Sequence, residues 1–304
     1  MEVNDFERKK SAIIAKYNGW SSYDLNYNGG EFFMSSVETK EVTSFDGIFL
    51  KNILDAVANF TAGKKWEELE ILDLGSYEGQ VGIEFARQNA KRVVCIEGRE
   101  GNVVKANFAK EVLNLKNLEL FQDDVMNLSV GKYGSFDVVL CLGILYHLPV
   151  TDVFRFMKNV YETAKDIAIV DTHFAMADEM QVEHKGNIYH GRLFDETPDS
   201  HSPQSSLAGG DSFWLNRASL LNLIRDTGFD SLYVVPYPGK TWRGADDRIT
   251  VVAVKHGGGG KKMVAPVFYR KENDRFIEKE PSLMVVHKKN MGRNWQKQKP
   301  DDFL

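Results

Sequence analysis

Two cysteines in 304 residues leave the chain without a disulfide framework, and Cys95 and Cys141 lack the C-x-x-C spacing of a metal or redox pair. Each sits inside an apolar run that reads as a core strand, which predicts two buried free thiols. No stretch of 18 apolar residues occurs, so no membrane-spanning helix is expected. The charged beginning, Met1-Glu-Val-Asn-Asp-Phe-Glu-Arg-Lys-Lys10, has no apolar core of a secretory leader, and the expectation is a cytoplasmic protein with no membrane partner. Internal repeats are absent. Histidine is sparse, and His184, His190 and His201 with their neighbouring carboxylates match no compact ligand spacing, so no metal is expected.

Positive charge is scarce over most of the chain. The net charge is −5, yet residues 255–304 hold 12 Lys/Arg against 6 Asp/Glu, so residues 1–254 carry −11. An acidic body disfavours nucleic acid as the main partner, because such binding depends on neutralising phosphates. The basic C-terminal segment keeps nucleic acid as a lesser alternative to a small-molecule acceptor. With 43% hydrophobic and 12% aromatic residues, the chain can bury a full core.

What is present centres on Glu70-Ile-Leu-Asp-Leu-Gly-Ser-Tyr-Glu-Gly79. Ile71, Leu72 and Leu74 form an unbroken apolar run, as in a parallel strand covered on both faces, and Gly75 and Gly79 bracket a tight turn. Beyond it, Val81/Phe85 and Gly82/Ala86 repeat at the spacing of a helix face. A helix start of this kind attracts phosphate, but a dinucleotide site needs G-x-G-x-x-G, and Tyr77 occupies the middle. Asp73 and Glu78 beside the turn suit a cationic ligand rich in hydroxyls and amines. A second strand, Arg92 to Glu97, follows, and its terminal acid stands 24 residues after Asp73, placed to accept from ribose hydroxyls. Leu118–Gln122 is a third strand, running into Asp123-Asp124.

Asp73-Leu-Gly-Ser-Tyr-Glu-Gly79 resembles the first motif of class I S-adenosylmethionine-dependent methyltransferases, D-x-G-x-G-x-G, with Tyr77 departing from the middle glycine. The resemblance covers roughly residues 66–256. It implies a Rossmann-like α/β fold, a doubly wound, mostly parallel seven-stranded sheet. It also implies S-adenosylmethionine as cofactor, bound by Asp73, Gly75, Ser76, Tyr77, Gly79, Glu97, Gly98 and Arg99. The family places an acid after the third strand against the adenine amino group, here Asp124 with Asp123 as runner-up. Leu142-Gly-Ile-Leu-Tyr-His-Leu148 is locally similar to the tRNA wobble-uridine carboxymethyltransferases and their relatives.

The fourth strand, Phe136 onward, lies across the sheet's switch point from the first. Leu142 and Gly143 are therefore expected against the methionine part, with Tyr146 and His147 facing the acceptor. His147 is a candidate base, as is the pair Asp171 and His173 at the end of the fifth strand, whose i, i+2 spacing puts both on one strand face. Residues 1–65 read as an N-terminal helical segment. Residues 66–256 form the core, residues 174–213 an irregular insertion expected to act as a lid, and residues 257–304 a linker and basic extension. Tyr189, His190, Arg192, Trp214, Trp242 and Arg243 are candidate acceptor-lining residues. The activity expected is methyl transfer to an oxygen or nitrogen of a small molecule. Transfer to tRNA, or a non-catalytic binding role, are the alternatives.

Overall fold

In the computed structural model, residues 1–36, 45–196, 206–207, 209–235, 247–255, 264–265, 270–272 and 275–277 are described. Helix α1 (Val3–Tyr17) turns Phe6 inward, and the turn Gly29-Gly30 joins strands β1 (Tyr23–Asn28) and β2 (Glu31–Ser36). Both glycines have positive φ, as a two-residue hairpin turn requires, so the N-terminal segment, expected to be helical, holds a hairpin between its helices. Helix α2 (Phe45–Phe60) buries Phe49, Ile53 and Val57.

The core then alternates strand and helix. It runs β3 (Glu70–Leu74), α3 (Gln80–Arg87), β4 (Arg92–Glu97), α4 (Glu100–Val112), β5 (Leu118–Gln122), α5 (Val130–Tyr133), β6 (Phe136–Leu142), α6 (Val150–Thr163) and β7 (Ala164–His173). An antiparallel meander follows, β8 (Met180–His184), β9 (Asn187–Asp195) and β10 (Asp211–Leu215). Helix α7 (Arg217–Asp226) leads to β11 (Ser231–Val235) and β12 (Arg248–Val254). The main sheet has the order β11-β12-β7-β6-β3-β4-β5, with the two-residue β13 (Val264–Ala265) beside β11. Only β12 runs against its neighbours. The expected seven strands are thus present, with one short strand added at the edge.

Strands buried on both faces split their side chains between two apolar layers, by alternation. Leu72, Val94, Val139 and Val170 pack under α6 and α7, whereas Ile71, Val93, Val138 and Ile169 pack under α2, α3 and α4. Cys95 and Cys141 are buried free thiols, their ionisation pushed up by burial. Winding reverses between β3 and β6, so the loops leaving their carboxyl ends diverge and open a crevice.

Residues 174–213 differ from the expected irregular insertion, since three strands run through them. Gly191 is required where β9 crosses β10, as a Cβ there would lie 2.1 Å from the Trp214 carbonyl oxygen.

The N-terminal segment is fastened by a buried charge pair. Glu78, fully buried, meets the Lys105 ammonium at 2.9 Å and accepts from the Ser21 and Ser22 backbone N–H groups. Glu78 is therefore a tether for residues 21–22 rather than a neighbour of the ligand, because Lys105 neutralises it inside the fold. Lys105→Met leaves that carboxylate buried and unpaired. Denaturant unfolding is expected to show a loss of about 3 kcal/mol.

Candidate functional site

Beyond β3 the chain turns through Gly75 (φ +60°), Tyr77 (φ +55°) and Gly79 (φ +82°) into α3. Gly75 is obligatory, since a Cβ there would stand 2.0 Å from Ile144 in the loop after β6. The Gly75 N–H donates to the Ile96 carbonyl, locking the turn to the end of β4. Tyr77 bears the left-handed conformation that a glycine would take freely. Its N–H donates to Glu97 Oε2 at 3.0 Å and its hydroxyl lies 2.6 Å from Ser21 Oγ. The departure from the family pattern thus links the turn to the N-terminal segment.

A cavity of about 570 Å³ opens above this turn. Asp73, Gly75, Ser76 and Tyr77 line it from β3, and Glu97, Gly98 and Arg99 from β4. Asp124 lines it after β5, and Leu142, Gly143, Tyr146 and His147 after β6. Sequence reasoning missed the parts of its wall that come from outside the strand-tip loops: Ser21 and Ser22, Phe49 and Leu50, Ser206 and Leu207, and Arg248. No local pattern marks them, because they reach the cavity from four separate segments. Gly79 is not in the wall; it lets the α3 start approach Ala106, 2.9 Å from where a Cβ would stand.

The acids differ in their surroundings. Asp73 is buried, accepts from the Gly82 N–H at 3.2 Å, and burial pushes its carboxyl up to about 7. A carboxyl raised in the folded state favours folding most when protonated. The stability of the ligand-free protein should therefore fall through this group as pH rises from about 4 to about 7. Asp73→Asn should flatten that slope in thermal melts. Glu97 is raised by burial, while the Arg99 N–H, Asn102 and the Tyr77 N–H act the other way. Asp124 accepts from the Met126 N–H at 2.8 Å, capping a single helical turn at the cavity wall. Asp123 does not reach the cavity. Burial works against its charge, but Lys132, Tyr133 and Asn127 outweigh it and hold the carboxyl well below its ordinary range.

Asp171 and His173, expected as a pair, both lie on β7 and are engaged by β12 rather than by each other. The β12 register sets Arg248 opposite His173 and Thr250 opposite Asp171. Arg248 Nε donates to the buried Asp171 at 2.8 Å, Thr250 donates to the same carboxylate, and Arg248 Nη1 lies 3.0 Å from His173 Nε2. A guanidinium only donates, so His173 Nε2 accepts from it and has no lone pair left for a substrate proton. Burial and the Arg248 charge hold His173 below its ordinary pKa. Neither Asp171 nor His173 lines the cavity.

His147 remains. It sits on the turn Leu145–His147, its ring 4.1 Å from that of Tyr146, with Nδ1 2.9 and 3.0 Å from the two carboxylate oxygens of Glu196. Glu196 was not a sequence candidate, since nothing in the spacing relates it to a histidine 49 residues earlier.

The insertion residues lie elsewhere. Tyr189 is buried, donates to Asp226 at 2.6 Å and borders a separate cavity between α6 and the meander. The His190 N–H donates to Ser219 Oγ. Trp214 stacks between Phe194 (4.5 Å) and His173 (5.0 Å), with the Arg192 guanidinium 4.8 Å from its ring. None of these four lines the cavity above the β3 turn. Trp242 and Arg243 lie outside the described residues, as does His201. Among the described residues no cluster of three or more His, Cys, Asp or Glu is placed to hold a metal, and no helix is long and apolar enough to cross a membrane.

Residues 71–166 match the family model of a methyltransferase domain. No curated protein matches the sequence. Among solved structures, the N-terminal domain of EvdMO1 with S-adenosylhomocysteine (SAH) bound is similar at 24% identity and a TM-score of 0.64, over 84% of this chain and 98% of that one. The same domain in the presence of SAH and D-fucose gives 24% and 0.63, with the same coverage. EvdMO1 itself gives 22% and 0.56 over 84% of this chain and 48% of that longer one. Residues 71–166 are thus similar to a methyltransferase domain, and the chain shares the mostly parallel Rossmann-like fold of the EvdMO1 domain.

Proposed function

We propose that the protein is an S-adenosylmethionine-dependent methyltransferase that acts on an oxygen or nitrogen of a small molecule, a sugar-like hydroxyl foremost. One observation carries the reading: a single cavity joins the β3 turn and the acids at the strand tips to Tyr146 and His147 across the switch point. The wall fits the cofactor's chemistry. Glu97 suits ribose hydroxyls, Asp124 and the adjoining backbone suit the adenine amino group, and Asp73 offsets ligand positive charge. Gly75 and Gly143 let backbone approach the methionine part. When bound, S-adenosylmethionine supplies a methyl group already activated on a cationic sulfur. The chain then has to orient the acceptor, exclude water and, for a hydroxyl, take its proton. His147, which lines the cavity beside Tyr146, supports that role. Ser21, Ser22 and Phe49 from the N-terminal segment and Ser206 and Leu207 from the insertion line the cavity, which supports a role for both segments in enclosing the ligand.

The acidic body supports a small acceptor over tRNA. Incubation with methyl-labelled S-adenosylmethionine and a panel of hydroxylated acceptors tests the reading. Deoxyhexoses belong in the panel because the EvdMO1 domain was crystallised in the presence of D-fucose. Label on a sugar or other small hydroxyl compound is expected. Label on RNA alone, with binding that falls steeply with salt, would replace it with the tRNA reading. Cofactor binding without transfer to any acceptor would favour a binding protein.

A further inference from the structure

We infer that Glu196, carried by the residues just after β9, is a positioning residue that fixes His147 as the tautomer with its proton on Nδ1 and its lone pair on Nε2. The inference rests on the methyl-transfer reading for its purpose, though not for its geometry. An ionised carboxylate only accepts hydrogen bonds. With both Glu196 oxygens within 3.0 Å of Nδ1, that nitrogen must carry the hydrogen, and Nε2, on the other edge of the ring, is the basic atom. Glu196 is 3% exposed and does not line the cavity, whereas His147 does. The carboxylate therefore acts through the histidine and not on the acceptor.

Its charge state is consistent with this role. Burial works to raise the Glu196 carboxyl, but the His147 ring and the Ser206 N–H outweigh it and hold the carboxyl below its ordinary value. A buried anion beside Nδ1 also stabilises the imidazolium that forms once Nε2 has taken the acceptor's proton. In the step this would serve, the acceptor oxygen's proton goes to Nε2, the oxygen's electron pair forms the new bond to the methyl carbon as that carbon's bond to the donor sulfur breaks with its pair left on sulfur, and Glu196 stays ionised throughout. The other charged or titratable groups in the cavity wall near this end are Tyr146, Asp152 and Arg248. Asp152 is paired with Arg155 and Arg248 with Asp171, so neither competes for Nδ1. A second link runs to the cofactor side. The Ser206 N–H approaches Glu196 Oε2 at 3.4 Å, and Arg99 donates to the Ser206 carbonyl at 3.1 Å.

The test is ¹⁵N NMR of the histidine rings in the ligand-free protein, with His147 assigned by its loss in His147→Ala. The wild type is expected to show the Nδ1–H tautomer, and Glu196→Gln a mixture of both. With acceptor and cofactor supplied, Glu196→Gln should lower kcat about 10- to 100-fold and leave KM and cofactor affinity within about 3-fold. A wild-type His147 protonated on Nε2, or a tautomer indifferent to Glu196→Gln in a variant with a native circular dichroism spectrum, would overturn the inference. Wild-type turnover by His147→Ala would instead overturn the base reading on which its purpose rests, so the two failures are distinguishable.

Discussion

Glu97→Ala is expected to weaken S-adenosylmethionine binding about 100-fold by titration calorimetry. Hydrogen bonds to a charged group contribute roughly 1.5–3 kcal/mol each, and 1.4 kcal/mol is a tenfold change in affinity. The substitution acts twice. It removes the acceptor offered to ribose hydroxyls, and it strips the Tyr77 and Arg99 N–H groups of the carboxylate that holds the turn in shape. Glu97→Gln keeps one oxygen for those donors and should lose less. Unchanged affinity in Glu97→Ala would show that the adenosyl group does not lie at the end of β4, and the cofactor assignment would fall with it.

His147→Ala should lower kcat by about 10²- to 10⁴-fold with a hydroxyl acceptor, the usual contribution of a positioned base. Cofactor affinity should stay within about 3-fold, because His147 follows β6 and Glu97 ends β4, with β3 between them. His173→Ala provides the contrast. His173 is bound to Arg248 and stacked on Trp214, so its loss should destabilise the fold without removing the proton acceptor. If His173→Ala lost turnover at native stability while His147→Ala retained it, the base would have to be reassigned to β7.

The cofactor end of the site is legible in the sequence because its signals are local. An apolar run without alternation, a glycine at a close approach and an acid at a strand's end are each set within a few residues. The order of strands and helices then brings the three strand tips together. The acceptor end is not local. Asp171 and His173 share a strand face as their spacing requires, yet the cross-strand register brings Arg248 between them, and register is set by how β12 pairs with β7. Tyr189 and Trp214 have the aromatic character of a binding wall, and the meander turns them onto Phe154, Phe194 and His173 instead. Asp123 and Asp124 are adjacent and alike in sequence. Only the positions of Lys132, Tyr133 and Asn127 decide that one is neutralised away from the cavity while the other caps a turn beside it.

By itself, the sequence determines a doubly wound sheet with a methyltransferase-type turn after its first strand, because backbone conformation and strand burial follow from neighbouring residues. Tertiary structure alone decides that Glu196 meets His147 Nδ1 whereas His173 stands between the Arg248 guanidinium and Asp247. Those partners come from strands and loops dozens of residues away. A side chain's protonation depends on the charge brought against it in space, which spacing along the chain does not record.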